Sequence, residues 1–224
     1  MFIDPTGLEA GYSTEEYKHY RKKWNNRTSN NIFQYATYAD QRAREYAFME
    51  GLEYNQPNES DAFRHFTWML ELRRGYGGTI AQYVGNYHEL IGSPENFIDD
   101  SDYTKVRMRI NQETLMDFQN NAVGIAAARQ DGCNYTDAYY LFQSNIDQII
   151  TDASLAYAFF GLEEGYRVGG LLWQIEVEFD MSSNTMKIFE NLGSGGMDII
   201  DPTKYKVITF GIQPERQKAS HPSR

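Results

Sequence analysis

Ionisable and aromatic residues share one face of a segment with helical character. Asp61 is followed by His65, Trp68 and Leu72 at four, seven and eleven residues, and this spacing places all of them on one side of an α-helix. Burying Asp and His on such a face costs free energy unless they are paired or bind a metal. The face therefore indicates either a chemical site or a polar network inside the protein.

Two further segments carry polar groups of the same kind. His88-Glu89 ends the next helical segment, and the long segment after it contains Met116-Asp-Phe-Gln-Asn-Asn-Ala-Val-Gly124. One helical face of that long segment would carry Ile110, Asp117, Asn121, Gly124 and Ala128. Glycine and alanine there leave room for a neighbouring helix to approach closely. We therefore expect three helices to direct polar groups into one interior.

A divalent metal site is the first interpretation of this set. Its ligands would be Asp61, His65, Asp117 and either His88 or Glu89. Helical bundles form such sites from inward-facing carboxylates and imidazoles. Two histidines with two carboxylates suit Zn²⁺, Mn²⁺ or Fe²⁺, and an open coordination position would hold an activated water.

Acid–base catalysis without a metal is the second interpretation. His65 or His88 would act as the general base, and Asp61 or Glu89 would orient it. Aspartate and histidine four residues apart in a helix can form this orienting hydrogen bond. The candidate catalytic residues are then His65, His88, Glu89, Arg64 and Asp117.

The same neighbourhood offers groups that could bind a substrate. Arg64 with Asn120 or Asn121 would stabilise developing negative charge, and Trp68 would add an apolar contact. The alternative to both interpretations is structural, because a satisfied polar network can also hold three helices in register.

Helical periodicity covers the first two-thirds of the chain, and strand alternation follows it. Ser13-Thr-Glu-Glu16 is a capping box that predicts the start of the first helix. The predicted helices are 13–26, 38–50, 61–74, 79–91, 104–130, 136–150 and 152–160, and the predicted strands are 171–181, 185–192 and 205–212. Trp173, Ile175, Val177 and Phe179 should face the helices. The fold class is α+β, a mainly helical body followed by a small antiparallel sheet.

Composition narrows the class of protein. The 224 residues include 31 acidic and 21 basic ones, for a net charge of −10, which disfavours a nucleic-acid-binding surface. Cys133 is the single cysteine, so neither an internal disulfide nor a CxxC metal site is possible. No apolar run approaches the roughly 18 residues of a membrane span, and the first residues lack the pattern of a signal peptide.

The first residues, Phe2-Ile-Asp-Pro-Thr-Gly-Leu8, form a turn sequence. This string resembles the D-P-x-G-L signature that closes the shell of Rhs (YD-repeat) polymorphic toxins. The resemblance implies that residues 1–8 are a shell remnant, with cleavage between Leu8 and Glu9 and with Asp4 participating. It further implies a toxin delivered into a target cell as part of a larger secreted protein, with the parent Rhs shell and a cognate immunity protein as partners.

A second resemblance covers about Ser60–Gln130. The motifs Asp61-x-x-Arg64-His65, His88-Glu89 and Asp117-x-x-Asn120-Asn121 resemble those of an uncharacterised helical domain found at the ends of bacterial polymorphic toxins. This resemblance implies the positions of the site residues and the context of a toxin, and it implies no mechanism. The predicted organisation is a remnant at 1–8, a helical toxin body at 9–160, a sheet segment at 161–212 and a flexible tail at 213–224.

The function predicted from these observations is that of an antibacterial effector domain with hydrolytic activity on lipid, cell wall or a small molecule. A nuclease using the same His, Arg and Asp residues is the alternative enzyme. A membrane-disrupting or binding module is the non-enzymatic alternative.

Overall fold

Helices form the first part of the described chain, and most of the strands come at its end. The computed structural model describes residues 14–54, 56–91, 105–162, 175–180, 183–191 and 200–212. The helices are α1 (Thr14–Lys23), α2 (Asn26–Glu50), α3 (Glu59–Tyr76), α4 (Gly78–Ile91), α5 (Gln112–Asp131), α6 (Ala138–Ser144) and α7 (Ala156–Phe159). The strands are β1 (Lys105–Ile110), β2 (Ile175–Asp180), β3 (Thr185–Asn191) and β4 (Ile200–Thr209). The predicted α+β class is confirmed.

The four strands form one antiparallel sheet in the order β1-β2-β3-β4. Ile175, Val177 and Phe179 of β2 are fully buried, and Glu176 and Glu178 between them are only partly so. The predicted register of this strand is therefore confirmed for these residues. Trp173 and the predicted remnant and tail, 1–8 and 213–224, lie outside the described residues.

Strand β1 corrects the prediction of one long helix over 104–130. Residues 105–110 alternate basic and apolar side chains, a period of two that suits a strand pairing with β2. Asn111 then starts α5, because its Oδ1 accepts a hydrogen bond from the Thr114 N–H at 2.8 Å. Ile110 is thus a buried strand residue and does not share a helical face with Asp117.

Two predicted helix boundaries also move. Helix α2 begins twelve residues before the predicted Tyr38, because Asn25 caps it by accepting a hydrogen bond from the Thr28 N–H at 2.9 Å. Helix α6 ends at Ser144 and not near residue 150, and a 3₁₀ turn follows. Asn120 accepts from the Ile150 N–H and donates to its carbonyl oxygen, at 3.0 and 2.9 Å, which holds that segment out of the helix.

Apolar packing occurs in three clusters joined through α3 and α5. One cluster packs α5 and α7 against the sheet, and Phe118 lies 4.7 Å from Phe179 between ring centroids. The second joins α2, α3, α5 and α6, and the third joins α1 to α4. Helix α3 contacts α2, α4 and α5, so its polar face lies at the centre of the helical body.

Candidate active site

The candidate site lies where α3, α4 and α5 meet. Helix α3 carries Asp61, Arg64 and His65, and α5 carries Asp117 and Asn121. Helix α4 contributes His88 and Glu89. The structure therefore brings together residues from three segments that are distant in the sequence.

Glycine at position 124 permits the close contact between α3 and α5. A Cβ atom added at Gly124 would overlap the backbone carbonyl oxygen of Phe66. Phe66 directly follows His65, so this contact sets the depth at which the His65 ring enters the interface. Gly124 therefore has the role that the sequence predicts, which is to let a neighbouring helix approach closely.

His65 is surrounded by polar groups on both ring nitrogens. Its Nε2 lies 3.1 Å from Arg64 Nη2, 3.4 Å from Asp117 Oδ1 and 3.9 Å from Asp61 Oδ1. Arginine can only donate, so Nε2 is an acceptor and the proton of the neutral ring is on Nδ1. The lone pair of Nε2 thus faces the space between the two aspartates.

A hydrogen-bond chain holds the opposite side of the ring. Nδ1–H of His65 donates to Asn121 Oδ1 at 3.2 Å, and Asn121 Nδ2 donates to Glu89 Oε1 at 2.7 Å. Glu89 Oε1 also lies 3.4 Å from His65 Nδ1. A carboxylate or amide acceptor on the far nitrogen is what fixes the tautomer and orientation of metal-binding histidines.

Burial determines the protonation of the site. It lowers the pKa of His65 well below 6.5, and the nearby Arg64 charge lowers it further, so the ring is neutral. Burial raises the pKa of Asp117 well above its ordinary value, with Glu89 and Asp61 adding to the rise. Burial also raises the pKa of Glu89 to about 7. The site therefore holds more carboxyl groups than its positive charge can compensate.

Arg64 supplies part of that charge. Its guanidinium hydrogen-bonds to Asp61 while also reaching His65, and its side chain keeps 27% of its surface exposed. Burial raises the pKa of Asp61, and Arg64 opposes this rise. A partly exposed cation over buried carboxylates can exchange partners when another cation or a substrate arrives.

Asp61, His65 and Asp117 form a buried group that could hold a metal ion. One ligand atom from each lies within 4.8 Å of those from the other two. Asp117 Oδ1 is buried and makes no hydrogen bond with the residues that the structure describes. An orphaned carboxylate oxygen is costly inside a protein, and a cation between the three groups would satisfy it.

His88 lies beside this group and outside the set of possible ligands. Its ring centroid is 6.0 Å from that of His65, and its Nδ1 hydrogen-bonds to Glu16 Oε1 of α1 at 2.9 Å. Burial lowers the pKa of His88, but the facing Glu16 outweighs this effect and raises it to about 9. His88 is therefore a second positive charge of the site. The sequence assigned Glu16 only to a capping box, and no spacing signal linked it to His88.

The remaining predicted residues have other surroundings. Asn120 binds the Ile150 backbone and does not reach His65. Trp68 is 4% exposed and packs edge-on against His88, with 5.1 Å between centroids. Cys133 is exposed with a free thiol. The predicted cleavage junction of Asp4, Leu8 and Glu9 lies outside the described residues.

Together, fold and site define an α+β domain with a buried histidine–carboxylate centre between three helices. The chain belongs to the family described as a domain of unknown function, DUF6973, whose model matches residues 28–153, more than half of the chain. No curated protein and no solved structure gives a significant match. In the described part of the chain, no helix is both long and apolar enough to cross a bilayer.

Proposed function

We propose that this protein is a metal-dependent hydrolase whose ion is bound by Asp61, His65 and Asp117. The observation that carries this proposal is that two acceptors face the same point, one that makes no hydrogen bond with the described residues and one that accepts from Arg64. The His65 Nε2 lone pair and the unpartnered Asp117 Oδ1 are 3.4 Å apart, and Asn121 holds the other ring nitrogen. Three protein ligands with a remaining open position are typical of catalytic sites and untypical of structural ones.

A bound divalent ion would supply an activated water, because coordination lowers the pKa of water to about 7 in such sites. The side chains of the protein would bind the ion and orient its ligands. Asn121 and Glu89 hold the His65 ring, and Asp61 and Asp117 provide negative charge. Arg64, released from His65 when the ion arrives, would face a negatively charged group of the substrate.

We further propose that the hydrolase is the effector domain of an Rhs-type toxin. The Asp4-Pro-Thr-Gly-Leu8 string supports this context, since the same signature ends the shell of such toxins. The proposal includes delivery into a competing cell by the parent protein and a cognate immunity protein that covers the site.

The charge of the site supports lipid, cell-wall or small-molecule substrates over nucleic acid. Four carboxyl groups, on Glu16, Asp61, Glu89 and Asp117, surround Arg64 and His88. A nuclease needs positive charge that follows a phosphate backbone to the reacting bond. The chain as a whole is also acidic, with a net charge of −10.

Metal binding is the first test. Purified protein, stripped with a chelator, is titrated with Zn²⁺ and Mn²⁺ while thermal unfolding is followed. We expect one ion to raise the melting temperature of the wild type and to have no such effect on Asp117→Asn. Glu113→Gln is the matched control, because Glu113 is an exposed carboxylate one turn earlier on α5. Absence of stabilisation by either ion would overturn the metal site.

Toxicity is the second test. The chain is expressed in the cytoplasm or the periplasm of a susceptible bacterium as wild type, His65→Ala and Glu113→Gln. We expect killing by the wild type and Glu113→Gln in one compartment, and none by His65→Ala. Periplasmic killing would support lipid or wall hydrolysis, and equal killing by His65→Ala would contradict a hydrolase centred on this residue.

A further inference from the structure

A cavity of about 780 Å³ lies between α4, α5 and the sheet. Its wall includes Arg73, Asn86 and Arg129 from the helices and Phe210 from the segment after β4. Among the described residues, the lining includes no member of the candidate site and no acidic residue. Successive residues of α5 face the two places, since Asn121 contacts His65 and Ala122 lines the cavity.

The positive charge in this cavity is not paired with a carboxylate of any described residue. Within the described part of the chain, Arg73 and Arg129 make no ion pair, although acidic residues outnumber basic ones by 31 to 21. Arg74, next to Arg73, is by contrast paired with Glu71 and Asp131. The guanidinium groups of Arg73 and Arg129 therefore lie where no carboxylate of the described residues faces them.

The N-terminus of α4 adds to this charge. Gly78 and Thr79 of its first turn line the cavity, and that turn has no acidic residue. The Arg73 guanidinium lies directly against Gly78, where a Cβ atom would overlap it. A cation beside the positive end of a helix is unfavourable, and an anion between the two reverses the sign of the interaction.

Asn86 is a separate indication of a ligand. Asn86 is 4% exposed and lines the cavity, and its buried Nδ2 has no hydrogen-bond acceptor among the described residues. A buried amide donor without an acceptor is unfavourable, and a bound oxyanion would supply the acceptor. This donor, two guanidinium groups and a helix N-terminus are all complementary to an anion.

We propose that this cavity binds the phosphate group of a small phosphorylated molecule. Guanidinium groups and helix N-termini bind phosphate through several parallel N–H donors. The volume exceeds that of a phosphate ion and lies in the range of small-molecule sites, about 300–1,000 Å³. Tyr83, Ile125 and Phe210 line the remainder and provide apolar contact for the organic part of the ligand.

Isothermal titration of the full chain tests the proposal with three probes: inorganic phosphate, glycerol 3-phosphate and AMP. Acetate serves as the non-phosphate anion. We expect saturable binding of one phosphorylated probe per chain, with the organic probes binding more tightly than inorganic phosphate. The order of glycerol 3-phosphate and AMP separates a lipid-headgroup source from a nucleotide source.

Variants assign the binding to this cavity. Arg73→Gln and Arg129→Gln should each weaken binding roughly tenfold, the loss of one charge-assisted contact, and Asn86→Asp should abolish it. Arg27→Gln is the matched control, since Arg27 is an exposed arginine on α2. His65→Ala should leave the affinity unchanged, so that failure here is distinct from failure at the His65 centre.

Three outcomes would overturn the proposal. In the first, no phosphorylated probe binds saturably. In the second, acetate binds as tightly as phosphate. In the third, Arg129→Gln and Arg27→Gln have equal affinities for the phosphorylated probes. Arg129 is exposed, so its variant folds and remains informative even where Arg73→Gln or Asn86→Asp proves unstable.

Discussion

Asn121 holds His65 across the interface between α5 and α3, with 3.2 Å between its Oδ1 and the ring Nδ1. This contact directs the lone pair of Nε2 towards Asp61 and Asp117. Asn120, its neighbour in sequence, binds the Ile150 backbone instead. The two adjacent amides therefore have different roles. Asn121 positions His65 in the site, and Asn120 holds the Ile150 segment in the fold.

Asn121→Ala should weaken metal binding about 10–100-fold, because the His65 ring loses the acceptor that fixes its tautomer. Asn120→Ala should leave the metal affinity nearly unchanged and lower the melting temperature, since two buried backbone groups lose their partner. Titration calorimetry and thermal unfolding of both variants check this pair. The same loss of metal affinity in both would contradict the separation of roles.

Metal affinity should rise with pH. Burial raises the pKa of Asp117, so a proton must leave this carboxyl group before it can bind a cation. His65 already has a lowered pKa and is neutral, so it does not limit binding. Titrations with Mn²⁺ at a series of pH values from acid to neutral measure the dependence. Affinity that is constant over this range would argue against Asp117 as a ligand.

The His88–Glu16 pair should make stability fall at alkaline pH. The pKa of His88 is about 9 in the folded protein, against an ordinary value of 6.5. The folded state holds this proton more tightly, so the stabilisation is complete below pH 6.5 and disappears as the pH rises through 9. Glu16→Gln removes the facing charge and should flatten that part of the stability profile.

Thermal unfolding of the wild type and Glu16→Gln over this pH range provides the comparison, and Glu113→Gln controls for loss of any carboxylate. NMR titration of the His88 ring reports the pKa directly. Parallel stability profiles for the wild type and Glu16→Gln would show that the pair does not titrate as described.

Gly124→Ala should destabilise the protein by about 1–3 kcal/mol, because the new methyl group would displace the Phe66 backbone. Gly75→Ala near the end of α3 is the control. The three atoms nearest to a Cβ atom there all belong to the end of the Tyr35 side chain, which can move away. Denaturant unfolding measures both changes, and equal effects would contradict a rigid contact at Gly124.

Phe179→Ala should cost about 3–5 kcal/mol, as expected for a fully buried aromatic ring between α5 and the sheet. Glu178→Ala, on the opposite face of the same strand, should cost about 1 kcal/mol or less, since it loses only a half-exposed ion pair with Lys187. A similar cost for both changes, measured by urea unfolding, would be inconsistent with the register of β2.

Periodicity in the sequence is sufficient to predict the α+β class, the buried face of β2 and the close helix contact at Gly124. Each is a local property, because side chains repeat every 3.6 residues in a helix and every two in a strand. The sequence predicts a helix over Lys105–Ile110, although this segment alternates, because the helical pattern that begins at Gln112 directly follows it. Only pairing with β2, about 70 residues later in the chain, makes this segment a strand.

The residue types of the site were also visible in the sequence, as the rare histidines with neighbouring carboxylates. Only the tertiary structure shows which of these residues lie together and which role each can have. Glu16 of α1 raises the pKa of His88 and takes it out of the possible ligands, and Asn121 rather than Asn120 reaches His65. Sequence spacing defines a face within one helix. The angle and depth at which separate helices pack decide which of those faces meet, and these depend on the whole core.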